Sequence, residues 1–447
     1  MSIALPGTPD YAAAVDVFNL SAPARPAAAA TVRTVDEVRA ALSYAQSRSL
    51  PVRVHTTGHA AAAVRPVTGG LLLRTQLAGV VEVDSVRRVA RIPAGTRWGE
   101  VVAATSPHGL VAAHGSSGTV GVVGYVLRGG LSCYGRYFGL AANSIRAVEL
   151  VTADGALHRL DADHDPELFW AVRGGGGGFG VVTAVEVALR PARWVVTGST
   201  FWRVDDPKRL LGDWISWTRQ APPEVTTSIR LLNLPSTPET PSILTGATVV
   251  CLEGTILCPG DEDLPTARTY AEQLLDPLRS VAEPVLDAWR VCAPESVLEA
   301  QLDPADPLPF TGDHMLLGEL DAAAVEAFVR AAGPGSGSPL VIAGLRQLGG
   351  GYAQPDPAGG VLSHLPASFS YAGSGSPVAG PSLTAIRQHC EVVRQALSPW
   401  DTGMTAPSFV ESFQQPQRHL SDQQRQAVER IRRRVDPGGR FSGDVSP

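Results

Sequence analysis

Two histidines, His55 and His59, stand four residues apart in RVHTTGHA, and glycines crowd the stretches at 114–135 and 174–180. The histidine interval is that of a zinc-binding helix, but no glutamate lies between the pair, and the strand pattern PVRVHT leads into a loop. Metal ligation is therefore not expected. HGSSG at 114–118 resembles a serine nucleophile elbow, yet Gly115, Ser117 and Thr119 break the GxSxG spacing, which disfavours a hydrolase. GGGGFG at 175–180 fits the dinucleotide pattern GxGxxG letter by letter. A helix pattern precedes it and a strand pattern follows, the reverse of a Rossmann turn. What remains is a loop of small residues after a strand, whose backbone N–H groups can converge on phosphate. The second glycine-rich stretch implies close backbone approach to a ligand.

The elements that must position these loops are legible from caps and periodicity. Thr34 and Glu37 form a capping box ahead of Val38, Ala41, Leu42 and Ala45, which repeat at helical spacing. The runs LLLRT, VVEVD and RRVARIPAG read as strands of a small half-buried sheet, and Thr96 starts a short helix through Trp98, Val101 and Val102. IRAVELVTADGALHRL predicts a hairpin turning at Asp154 and Gly155. Asp165 and Pro166 supply an N-cap and first-turn proline for PELFWAVR, and GVVTAVEVALRP predicts the strand that closes this half. Beyond residue 192 longer strands alternate with helices such as DAAAVEAFVRAA, and Ser421 and Gln424 cap a final helix. The expected domains are 1–195 for the ligand, 196–400 presenting a sheet face to a substrate, and 401–447 returning to the first.

Composition narrows the class. At 447 residues the chain is long enough for two domains, and a formal net charge of −6 gives no basic surface for nucleic acid. Five scattered cysteines, none in a CxxC pair, suit reduced thiols and a cytoplasmic location. No basic-then-apolar leader and no run of membrane-spanning length is visible.

In order along residues 5–195, PGTPDY, VRVHTTGHA, AGTRWGEV, GTVGVVGYVLRGGLSCYGRYFGLAANSI, VELVTADG and DPELFWAVRGGGGGFGVVT resemble the FAD domain of the berberine-bridge and 6-hydroxynicotine oxidase family. VDPGGRF resembles that family's closing segment; the likeness is thin over 200–400. The resemblance implies an α+β chain: a bipartite FAD-binding domain of two α/β subdomains, plus a substrate domain with a large antiparallel sheet flanked by helices.

It also implies a set of cofactor contacts. Arg53, His55, Thr56, Thr57, Gly58, His59 and Ala60 would line the pyrophosphate. Gly115, Ser117, Gly118, Thr119, Gly121, Val122 and Gly124, with Gly129, Gly130 and Leu131, would follow the ribityl chain and ring. Gly180 and Val182 would lie near the adenosine, and Ser408 beside the flavin. The family's linking histidine corresponds to His59, and the cysteine of doubly linked members to Ser117, so a single covalent tether through His59 is expected. The chain departs from the family at Thr57, where glycine is usual, at Ala60 for serine, at Arg128 for the first glycine of a triplet and at Gly178 for asparagine. Residues 406–409 read Ala-Pro-Ser-Phe, without the family's asparagine or tyrosine.

The implied activity is removal of a hydride from a small organic molecule of secondary metabolism, with dioxygen as acceptor. Tyr352 and Tyr371 are the nominated proton acceptors, since a phenol on a sheet strand serves as base when neighbours lower its pKa. Two alternatives share the fold: a cyclase or rearrangement enzyme using FAD without net redox, and a binding protein that has lost the flavin.

Overall fold

The computed structural model describes residues 2–236, 240–300, 303–415 and 417–445. Strands β1 (Ala28–Val32), β2 (Val52–His55) and β3 (Leu71–Thr75) form a parallel sheet in the order β1-β3-β2. Helix Val35–Ser47 covers it with Val38, Ala41, Leu42 and Ala45, the residues its periodicity picks out. The Thr34 hydroxyl accepts the Glu37 N–H as the cap requires. Because β2 is an edge strand, its end is free to run into the Thr56–Ala60 loop.

A second, antiparallel sheet orders Glu82–Asp84, Val89–Pro93, Val181–Ala188, Ile145–Val151 and Leu157–Leu160. Its core takes Trp98 and Val101 from helix Trp98–Thr105, Val122 and Val126 from Val122–Leu127, and Leu168 and Phe169 from Pro166–Val172. The glycine run lies between helix Pro166–Val172 and strand Val181–Ala188, the order that argues against a Rossmann turn.

The third sheet has eight strands and is antiparallel. It opens with Trp194–Trp202 and runs through Val249–Cys258, Val225–Leu232, Ile342–Gln347, Phe369–Gly375 and Thr311–Leu317. Side chains alternate between faces of a strand. Val225, Ile229 and Leu231, with Leu252, Leu345, Phe369 and Tyr371, go to the face covered by helices Lys208–Thr218, Leu264–Val281, Ala322–Ala332 and Leu383–Leu397. The opposite face meets the first two layers. The α+β architecture with a large antiparallel sheet follows the expectation. Among the described residues no helix is long and apolar enough to cross a membrane, and the five cysteines are free.

Candidate functional site

The β2 loop carries the most distinctive chemistry. The N–H groups of Thr57, Gly58, His59 and Ala60 find no acceptor among the described residues, so four donors sit together in one turn. Such donors suit an anion. The His59 Nε2 lies 3.0 Å from the Thr119 hydroxyl, which is 2.9 Å from that of Ser117, so both loops meet at the imidazole. Burial lowers the His59 pKa to about 4 and keeps the ring neutral. His55 faces elsewhere. Its Nε2 donates to the Ala14 carbonyl at 2.8 Å, and no group of three or more metal-ligating side chains occurs among the described residues.

The chain itself covers this loop. The Phe18 N–H donates to the Thr57 carbonyl at 2.8 Å, and the Phe18 ring stacks on His59 with centroids 3.7 Å apart. The cavity left beside them, lined by Phe18, Thr57, Arg97 and Thr119 among others, has a volume of about 50 Å³. Ligand pockets run from roughly 300 Å³ upward.

The glycine strip likewise approaches protein atoms. A Cβ on Gly115 or Gly130 would meet the Tyr125 ring, on Gly118 would meet Leu298, on Gly121 would meet Thr56, on Gly129 would meet Leu362, and on Gly180 would meet the Val151 carbonyl. Gly124 alone of these faces open space. Val122 and Val182 point into the core and offer only backbone, and Leu131 packs with Tyr352 and Leu362. The Arg128 guanidinium lies inside, donating to Gln417 Oε1 at 2.9 Å. Burial pulls its pKa to about 10, and the nearby Glu411 carboxyl is pushed up to about 8 by its own burial against the opposing pull of Arg128. The Ser408 hydroxyl is buried without a partner.

Neither nominated tyrosine reaches this cleft as a base. Tyr371 sits between Ser370 and Ala372 on its strand, so alternation turns it to the helix side, where its ring meets Phe328 at 6.1 Å. Tyr352 donates to the Ser132 carbonyl at 2.6 Å and packs onto Gly135 so closely that a Cβ there would fall 1.9 Å from the phenol. Burial raises both phenols, the opposite of what a base near neutrality needs. They are packing residues, and the sequence nomination is corrected.

What sequence reasoning missed is a polar row on the inner sheet face. Ser199 pairs with Glu253, Glu253 with Ser228, Ser228 with Arg346 and Arg346 with Ser370, so five polar side chains line up across five strands. Arg230 is ion-paired to Glu253 on the same face. Arg346 donates to the Leu131 carbonyl at 3.3 Å, tying the row to the glycine strip. Burial pushes the Glu253 pKa up to about 7, with Arg230 pulling the other way. One charged residue inside an otherwise apolar strand, as in VVCLEGTILC, was the available signal.

FAD is the group this arrangement calls to mind, and the fit divides. The unpaired N–H groups at 57–60 suit a diphosphate, whereas Phe18 stacks on His59 and the cavity beside that stack, about 50 Å³, is smaller than a dinucleotide.

Residues 26–161 match the family described as FAD binding domain. The chain is 33% identical over 193 residues to (R)-6-hydroxynicotine oxidase of Paenarthrobacter nicotinovorans, covering 43% of this chain and 39% of that protein. It is 30% identical over 199 residues to a carbohydrate oxidase of Microdochium nivale, covering 44% and 40%. The chain thus spans about two fifths of the length of these curated relatives. The crystal structure of 6-hydroxy-D-nicotine oxidase from Arthrobacter nicotinovorans superposes with a TM-score of 0.83 over 99% of this chain and 97% of that one, at 22% identity. Residues 26–161 thus match an FAD-binding domain, and the whole chain has the fold of 6-hydroxy-D-nicotine oxidase and of the berberine-bridge-like enzyme of Physcomitrella patens.

Proposed function

We propose that this chain is an FAD-dependent oxidoreductase that removes a hydride from a small organic molecule, with dioxygen as the electron acceptor. The observation that carries this reading is the turn of four unpaired N–H groups at Thr57–Ala60 within the matched FAD-binding domain. Bound FAD would supply a two-electron acceptor. The chain's own contribution lies on the inner sheet face: Arg346 and Arg230 orient a polar substrate, and Glu253, with a pKa near 7, takes its hydroxyl or amine proton. A neutral His59 is the proposed single attachment point, with Ser117 unable to form a thioether.

Reconstitution with FAD followed by acid precipitation tests this. Flavin in the pellet, an intact mass raised by that of FAD, and loss of both in His59→Ala are expected. Peroxide release on substrate addition then separates oxidase from dehydrogenase. Colourless protein after reconstitution sinks the reading.

A second reading, a flavin-free binding protein of the same fold, is favoured by one observation: the buried Arg128 guanidinium within the glycine strip. The same reconstitution decides between them.

A further inference from the structure

Phe441 is fully buried among Val151 and Val181, and the tail beyond it runs along the free edge of β2. There Arg53 Nη1 donates to the Gly443 carbonyl at 3.2 Å. The next residue, Asp444, points its carboxylate inward. One carboxylate oxygen lies 3.8 Å from Arg53 Nε, and the other faces the glycine run at Gly177. A guanidinium facing a glycine run that has no side chains makes room for an anion, and a side chain of the same molecule fills it.

The glycine run is shaped to admit this tail. A Cβ on Gly177 would come within 2.4 Å of Asp444 Oδ2, and one on Gly178 within 2.6 Å of Val445 Cγ2. Gly178 is also a position where the chain departs from the resemblance, which has asparagine there. The missing side chain is where Val445 now sits. On the far side of the tail a cavity of about 210 Å³ is lined by Arg53, Arg65, Ser442 and Gly443.

We propose that the C-terminal tail is a built-in competitor for the cofactor: the Asp444 carboxylate occupies a diphosphate position beside Arg53, and the segment after Phe441 must leave before a dinucleotide can enter. This rests on the flavin reading above. Burial pushes the Asp444 pKa up to about 6 in spite of Arg53, so the charged carboxylate is held under a desolvation penalty. A diphosphate with more oxygens for the same donors, and for the free N–H groups at 57–60, replaces it favourably.

Titration calorimetry with ADP and with FAD tests this on the full chain, on Asp444→Asn, on Asp444→Ala and on a chain ended after Ser442, which keeps the Phe441 anchor. Melting temperatures confirm that each is folded. Affinity for ADP at least tenfold tighter in Asp444→Ala and in the shortened chain is expected, with faster hydrogen exchange at 442–445 in the full chain when ADP is saturating. Equal ADP affinity in all four proteins, or unchanged exchange in the tail, overturns the proposal. A variant that gains ADP but takes up no FAD upholds the tail's role and overturns the flavin reading instead.

Discussion

His314 fastens the segment 406–415, and its protonation should undo that fastening. The ring is fully buried. Nδ1 donates to the Tyr371 carbonyl at 2.8 Å and Nε2 accepts the Ala406 N–H at 2.9 Å, which fixes one neutral tautomer. The His314 carbonyl also takes Gln415 Nε2 at 2.5 Å and Arg394 Nη2 at 3.0 Å, so one residue holds both ends of the segment 406–415. Burial lowers its pKa from 6.5 to about 4, with Arg394 adding to the effect. The unfolded chain therefore binds a proton that the folded chain refuses between those values. Stability from this group is intact above pH 6.5 and falls as pH drops toward 4, by about 3 kcal/mol in all. His314→Phe removes the acceptor and strands the Ala406 N–H, at about 1–3 kcal/mol near pH 7. The variant no longer feels the proton, so its deficit against the parent should shrink by about 2 kcal/mol between pH 6.5 and pH 5. Urea unfolding at pH 7, 6 and 5 reads both quantities. Asp444, raised by burial to about 6, acts with opposite sign in the parent and the variant alike and cancels from the difference. A deficit that stays constant across the range would refute the neutral clamp.

Three other outcomes are expected. Tyr371→Phe removes a buried hydroxyl that has no partner and should leave stability unchanged or raise it by up to about 1 kcal/mol in chemical denaturation; a large loss would mean the hydroxyl has a partner after all. Gly135→Ala, with its Cβ 1.9 Å from Tyr352, should lower stability by about 3 kcal/mol or more, and a melting temperature like the parent's would contradict the packing. Arg128→Gly should tighten FAD binding by about tenfold, roughly 1.4 kcal/mol, in the same titration used for the tail; unchanged affinity would show that the guanidinium does not obstruct the cofactor.

Local features were legible because the sequence states them locally. The Ser421–Gln424 capping box and the Asp165–Pro166 helix start depend on neighbours a few residues apart and appear as expected. The rejection of a Rossmann turn at 175–180 needed only the order of helix and strand. The resemblance set His59 and Ser117 against one cofactor, and in the structure each side chain lies within reach of the Thr119 hydroxyl. Tyr371 failed because a tyrosine in SFSYAG says that a strand exists but not which face it turns to the core. The row from Ser199 to Ser370 exists only once the register across five strands is known. Asp444 beside Arg53 joins residues from opposite ends of the chain, a contact that no local pattern announces.

FAD is expected to bind at the Thr57–Ala60 turn once the chain's own groups give way. Crystals grown with FAD, using the chain ended after Ser442, test it most directly. The expected result is a diphosphate held by Arg53 and the N–H groups at 57–60, with the flavin ring next to His59 and Phe18 swung aside. A cleft still closed by Phe18 and Arg128, with no dinucleotide in it, would contradict it.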